Sequence, residues 1–139
     1  MEETEQLEAP QVDFKEIVLS NSTFGPAEIK QIISGIQSDF SNHVILRDAV
    51  AELEVREVRS PATAVRLGVC YYLLGRFERA LETLASADGG ALPLFYQGRS
   101  HFARDRYEQA REFYQKAAQA GYDVDACALA EAEALRYSG

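Results

Sequence analysis

The sequence is poor in the residues that build metal sites and disulfide frameworks. Its 139 residues include two cysteines, two histidines and no tryptophan. Cys70 and Cys127 are too few for a disulfide framework, and neither His43 nor His101 lies at metal-ligand spacing from a cysteine or another histidine. Gly89-Gly90 lacks the lysine and the serine or threonine of a phosphate-binding loop. We therefore expect no metal, no cofactor and no enzymatic activity.

Long apolar runs are also missing. The longest apolar-rich stretch, from Leu67 to Leu74, is well short of the ~18 residues that a membrane span requires. The N-terminus is acidic where a secretory signal would be basic, and no apolar region follows it. We therefore expect a cytoplasmic chain without a membrane partner.

Positive charge is scarce, since the formal net charge is −8. Four glutamates lie among the first ten residues with no basic residue between them. Such a segment buries too little apolar surface to order itself, so residues 1–12 are predicted to be a disordered acidic tail. The remainder is acidic as well, and duplex affinity depends on neutralising phosphates with lysine and arginine. We therefore expect no direct binding of nucleic acid.

Helical periodicity dominates the rest of the sequence, and no segment alternates with period two, so the chain is predicted to be all-α. Residues 13–20 are too few to assign, although Asp13 could cap a short helix. Pro26 suits the first position of a helix over 26–40, which has an isoleucine stripe on one face. A second helix over 42–58 completes a predicted hairpin within an N-terminal segment 13–59.

The segment 60–139 contains an internal repeat. Residues 68–80 align without gaps to residues 98–110, with a period of 30 residues. Glycine and proline positions predict helices over 61–74, 77–88, 91–103, 107–120 and 123–137. These helices divide into units 61–90, 91–122 and a partial third unit 123–139.

The repeat resembles the tetratricopeptide repeat, which places a small residue where its two helices cross, an aromatic residue at the start of the second helix, and alanines where that helix packs closely. The corresponding residues of the first unit are Gly68, Tyr71, Gly75, Phe77, Ala80 and Ala87. Those of the second are Gly98, Tyr107, Ala110, Tyr114 and Ala117. The resemblance implies antiparallel helix pairs stacked as a short right-handed α-solenoid. Two departures are a period four residues shorter than the family's usual 34 and the absence of its tryptophan, replaced by Ala64 and Leu94.

The third unit has one helix where a complete unit has two. We expect the chain to be a fragment of a longer array, because natural arrays end in a helix with a polar outer face, and helix 123–137 is rich in alanine and leucine. An apolar open end favours association. This helix is therefore predicted to support homo-oligomers, which makes self-assembly an alternative function.

A second resemblance covers residues 16–31 and 60–70, which look like the N-terminal part of larger bacterial repeat proteins. Those proteins end in a domain similar to the C-terminal domain of the RNA polymerase alpha subunit, and this sequence does not contain that domain. The resemblance implies a link to transcription as another alternative function. It transfers no catalytic or DNA-contacting residue to this chain.

The resemblance to tetratricopeptide repeats also implies a binding surface, because the first helix of each pair lines a concave face in that family. The predicted partner-binding residues are Val65, Val69, Tyr72, Phe95, Arg99, Phe102, Leu129 and Glu133. Exposed aromatic residues beside an arginine are typical of interfaces, although Tyr72 and Phe102 could instead pack against the neighbouring unit. Val65 and Val69 stand where one subtype grips a C-terminal carboxylate with lysine and asparagine. We therefore expect a scaffold that binds an apolar or helical peptide of a partner protein.

Overall fold

The computed structural model describes residues 13–19, 24–56, 60–87 and 89–139. These ranges form α-helices and no strand, which confirms the all-α prediction. The helices are α1 Phe14–Leu19, α2 Pro26–Ser38, α3 Asn42–Glu54, α4 Pro61–Leu73, α5 Phe77–Ala85, α6 Ala91–Ala103, α7 Tyr107–Gln119 and α8 Val124–Tyr137. The predicted acidic tail, residues 1–12, lies outside the described residues, and the division of the chain into three segments stays a prediction.

The ambiguous residues 13–20 contain a short helix, α1. The Asp13 carboxylate accepts a hydrogen bond from the Glu16 backbone N–H at 3.1 Å, so Asp13 caps α1. Phe14 and Val18 are buried, and the Phe14 ring fills the space where a side chain at Gly35 of α2 would be. α1 therefore packs against α3 and also contacts α2.

The two helices of the predicted N-terminal hairpin are shorter than expected. α2 ends at Ser38, and the Asn42 side chain at the start of α3 donates to the Gly35 carbonyl at 3.0 Å. α3 ends at Glu54 instead of residue 58. The α-helical hydrogen-bond pattern gives way there to a tighter turn, in which the Arg56 N–H donates to the Leu53 carbonyl three residues earlier. Residues 57–58 lie outside the described ranges.

The repeat region consists of two antiparallel helix pairs, α4 with α5 and α6 with α7. The two turns are alike, with Gly75 at φ 81° and Asp105 at φ 64°. The N–H of the next residue, Arg76 or Arg106, donates back to the carbonyl five residues earlier, at 2.8 Å and 2.9 Å. This arrangement satisfies carbonyls that a helix end leaves without partners.

Glycine lies at the crossing point of each pair. The Leu84 side chain of α5 occupies the space above Gly68, and the Tyr114 ring of α7 occupies the space above Gly98. Helices that approach this closely require a minimal side chain at the contact. The predicted role of Gly68 and Gly98 is therefore confirmed, and the two pairs stack through α5 on α6.

α8 packs on α7 and begins at a strong cap. The Asp123 carboxylate accepts from the N–H groups of Asp125 and Ala126, at 2.8 Å and 3.2 Å. Cys127, Ala130 and Ala134 form the buried face of the helix. The opposite face exposes Leu129, and no element of the described ranges covers it.

Candidate functional site

A groove lies between α6 and α8, on the side that the resemblance assigned to partner binding. Its volume is about 470 Å³. Its lining residues include Phe95, Arg99, Ala126, Leu129, Glu133 and Arg136. Four of the eight predicted binding residues, Phe95, Arg99, Leu129 and Glu133, are therefore brought together in one groove.

Arg99 joins the two walls of the groove. Its Nη1 donates to Glu133 Oε1 at 3.2 Å, its Nε donates to the Tyr72 hydroxyl at 3.3 Å, and its guanidinium lies 5.4 Å from the Phe102 ring centre. Burial disfavours the Arg99 cation, but Tyr72, Tyr114 and the hydrogen bond to Glu133 raise its pKa above the ordinary value. The ion pair is half-buried, so it fixes α6 relative to α8 more firmly than an exposed pair would.

Phe95 forms the aromatic floor of the groove. Its ring stacks on Tyr122 with 4.2 Å between centroids and 8° between planes, and it also contacts Tyr96 and Tyr114. Burial raises the pKa of Tyr114 to about 12. Phe95 is thus held in a fixed position, and a ligand would meet only the part of the ring that faces the groove.

Tyr72 and Phe102 pack within the repeat array. Tyr72 contacts Phe77 and Tyr96, at centroid distances of 5.7 Å and 5.4 Å. Phe102 contacts Tyr107 and Tyr137, at 5.4 Å and 5.3 Å. Both rings remain partly exposed, so they combine packing with a limited accessible surface.

The first repeat departs from the expected binding surface. Val69 has no exposed area, and it belongs to the same core as Ile29 and Ile32 of α2. The expectation that Val69 contacts a partner is wrong, because the N-terminal helices share a core with α4. Val65 is half-buried against that core.

An arginine helps to join α4 to the N-terminal helices. Arg66 Nη1 lies 3.5 Å from the Val18 carbonyl oxygen, and the Arg66 guanidinium lies 5.7 Å from the Phe24 ring centre. Arg66 is itself buried. The surface of α4 is therefore partly occupied by the protein's own chain.

The residues near the groove that were not predicted include Arg136 and Tyr122. Arg136 lines the wall that α8 contributes, and Tyr122 stacks under Phe95. Arg136 lies seven residues after Leu129, which is two helical turns along the same face, so its position was readable from spacing. Tyr122 precedes the cap of α8, and its stacking depends on a turn that no periodicity reveals.

The cysteines and His101 have the side chains most able to take part in chemistry, and they pack against other residues of the chain. Cys70 is fully buried, which raises the pKa of its thiol to about 12, and burial also raises the pKa of Cys127. His101 stacks on Phe113 at 5.3 Å, and its buried Nδ1 has no hydrogen-bond partner among the residues that the structure describes. Within the same residues no group of acidic, histidine and cysteine side chains could hold a metal ion.

Comparison with known proteins identifies the repeats. The family model of the tetratricopeptide repeat matches residues 63–87 and 94–120. These matches cover most of α4 and α5 and most of α6 and α7. No curated protein and no solved structure matches the sequence. No described helix has the length and apolar character needed to cross a bilayer.

Proposed function

Residues 63–87 and 94–120 match the tetratricopeptide repeat, and we propose that the chain is a member of that family and binds a peptide or helix of a partner protein in the groove between α6 and α8. Proteins of this family are repeat scaffolds that generally mediate protein–protein interactions. The observation that carries the proposal is the groove itself, in which exposed Leu129 faces the aromatic floor formed by Phe95.

The lining of the groove suits an amphipathic ligand. Leu129 is 74% exposed and offers apolar area that a ligand would remove from water. Arg136 lies at the same wall, and Glu133 is already bound to Arg99. We therefore propose a ligand with one or two apolar anchors for Leu129 and Phe95 and an acidic group for Arg136.

The pairing of Arg99 with Glu133 bears on how binding should be tested. Replacing Phe95 and Arg99 with alanine would remove a stacked ring and a bridge between two helices, so lost binding could reflect lost structure. A better variant fills the groove without deleting a contact. Ala126→Gln adds a long, uncharged, helix-favouring side chain at the groove wall.

The experiment is affinity capture from a native lysate with three baits: the unaltered chain, Ala126→Gln and Ala128→Gln. Ala128 lies on the same helix, is exposed and does not line the groove, so it controls for the substitution itself. We expect a partner that the unaltered chain and Ala128→Gln capture and that Ala126→Gln loses. Equal capture by all three baits would contradict the groove as the binding site.

Capture also addresses the link to transcription, which has only the sequence resemblance behind it. Enrichment of RNA polymerase subunits on the unaltered chain, with loss on Ala126→Gln, would support that alternative. Enrichment of a different protein would leave the general scaffold in place and give its partner. We also propose that the chain is not an enzyme, does not bind nucleic acid directly and is located in the cytoplasm.

Self-assembly is a second candidate function, and the exposed apolar side chains of α8 favour it. Val124, Leu129, Leu135 and Tyr137 each expose about half or more of their surface on this one helix. Light scattering on a size-exclusion column would test it. A monomer at every concentration would contradict it.

A further inference from the structure

The exposed face of α8 has a charge at each end and small or apolar residues between. Asp125, Leu129, Ala132 and Arg136 follow one another at spacings of four, three and four residues, which places them along one face of the helix. Asp125, Leu129 and Arg136 are exposed, and Ala132 lines the groove beside Leu129. We refer to these four residues as the α8 stripe.

One of the two charged residues of the α8 stripe has a contact within the chain, since the Arg136 guanidinium lies 5.7 Å from the Tyr137 ring centre. Neither Asp125 nor Arg136 makes an ion pair with another residue in the ranges that the structure describes. The other acidic side chains of α8 are engaged within the chain, Glu133 by Arg99 and Glu131 by Arg111. The stripe therefore offers one acid near its start and one base near its end.

We propose that two copies of the chain pair through α8 in an antiparallel dimer. This inference rests on the candidate function of self-assembly and specifies its geometry. In the antiparallel register centred between residues 130 and 131, Asp125 lies opposite Arg136 of the second copy, and Leu129 lies opposite Ala132 of the second copy. The two-fold axis produces each contact twice.

The small side chain of Ala132 is what allows this packing. Helices approach to about 8 Å only where the contact residues are small, and Leu129 of the second copy would fill the space above Ala132. The same principle operates inside the chain, where Leu84 lies above Gly68 and Tyr114 above Gly98. The contact between Leu129 of one copy and Ala132 of the other would therefore resemble the contact between Leu84 and Gly68, which joins α4 to α5.

The charges of Asp125 and Arg136 favour the antiparallel orientation, and they make a second copy of the chain complementary to the α8 stripe. A parallel pair would place Asp125 beside Asp125 and Arg136 beside Arg136, so both ends would repel. The antiparallel pair forms an ion pair at both ends. A helix of 14 residues is about 21 Å long, so the interface is at the small end of specific interfaces and the dimer is weak.

Charge reversal tests the orientation directly. Asp125→Arg leaves two arginines on the stripe, and Arg136→Asp leaves two aspartates, so each variant repels its own copy at both ends. An equimolar mixture of the two variants restores both ion pairs in a heterodimer. The measurement is sedimentation or light scattering over a concentration series that reaches about 1 mM, the range for association free energies near −4 kcal/mol.

We expect the unaltered chain to dimerise, each single variant to associate about tenfold or more weakly, and the mixture to recover the association of the unaltered chain. Circular dichroism confirms that each variant keeps its helices. A monomeric unaltered chain would overturn both this dimer and the self-assembly candidate. The antiparallel register alone would be overturned if both charge-reversal variants associate as strongly as the unaltered chain. It would also be overturned if the mixture associates no more strongly than the single variants.

Leu129, Ala132 and Arg136 also line the groove, so the dimer and a bound partner would exclude one another, but one variant tests the two proposals separately. Ala126→Gln alters the groove and leaves all four residues of the α8 stripe in place. A chain whose dimer survives Ala126→Gln while its partner is lost would support both proposals. A dimer lost with Ala126→Gln, in a variant that is still folded, would contradict the antiparallel register.

Discussion

The close crossing of α6 and α7 makes Gly98→Ala a sharp test of the fold. A Cβ atom at residue 98 would lie 2.6 Å from two ring atoms of Tyr114 and 3.2 Å from the Ala110 carbonyl oxygen. Tyr114 is fully buried and packs against Phe95, so its ring cannot turn away into solvent. The carbonyl belongs to the backbone of α7 and can move only if the helix moves.

Two opposing effects set the magnitude. Alanine in place of glycine within a helix gains about 1 kcal/mol from propensity. Overpacking a filled core costs about 1–3 kcal/mol, and the upper part of that range applies because both obstacles are rigid. The net expectation is a destabilisation of about 1–2 kcal/mol, or several degrees in the unfolding temperature.

Equilibrium unfolding in urea, followed by circular dichroism, measures this change. A lower midpoint with an unchanged slope against denaturant would show lost stability without a changed denatured state. Lys30→Ala at an exposed position of α2 is the control, and we expect a change within about 0.5 kcal/mol. If Gly98→Ala is neutral or stabilising, propensity outweighs crowding and the two helices cross at a greater distance.

Three further changes test other parts of the structure. Gly75→Ala meets no neighbouring atom but forces a left-handed backbone, so we expect a loss of about 1 kcal/mol in thermal unfolding, and no loss would contradict that turn. Asp123→Ala removes the cap of α8 and is expected to cost about 1 kcal/mol, while Asp123→Asn keeps most of the stability; equal losses would argue against capping. Burial lowers the pKa of His101, so the unfolded chain binds more protons and stability falls as pH drops below about 6.5. His101→Phe keeps the stacked ring and should reduce that loss between about pH 7.5 and 5.5, and an unchanged pH dependence would contradict the assignment to His101.

The repeat region was largely predictable because its signals are local. Pro61 begins α4, the Gly75 turn separates α4 from α5, and Asp123 caps α8, each within a residue of the predicted position. The crossing glycines were recognised from the gapless alignment of the two units. Each of these signals acts over a few residues, so the sequence alone carries it.

The N-terminal helices were harder to predict. α1 is six residues long, which is too short for periodicity to separate it from a loop. Its stability comes from burying Phe14 and Val18 against α2 and α3, which are distant in sequence. The end of α3 was placed four residues too late because helical periodicity continues past the tightened turn at Leu53.

The predicted binding surface was partly wrong for a non-local reason. The family resemblance assigned Phe95, Arg99, Leu129 and Glu133 to one surface, and these residues line one groove, while their role in binding stays a prediction. The same reasoning placed Val69 on a surface, although it is in the core. Periodicity identifies which residues share a helix face, but it does not identify what covers that face.

One series of equivalent positions explains why the open groove lies at the C-terminal end. Val69, Arg99 and Glu133 occupy the same place on α4, α6 and α8, because each precedes a residue with positive φ by six positions. Valine suits the first place, because that place is in the core shared with the N-terminal helices. The next two places hold a cation and an anion that pair with each other and stay accessible to water.

The placement of Pro26 supports the same division of the inner face. This first residue of α2 lines a pocket together with Leu92 of α6 and Ala126 of α8, so the N-terminal helices extend toward the inner face of the second repeat without filling it. A peptide entering the groove would therefore meet the N-terminal segment at one end and Arg136 at the other. We therefore expect a peptide in the groove to contact Pro26 at the α2 end, which an alanine-scanned peptide series would test.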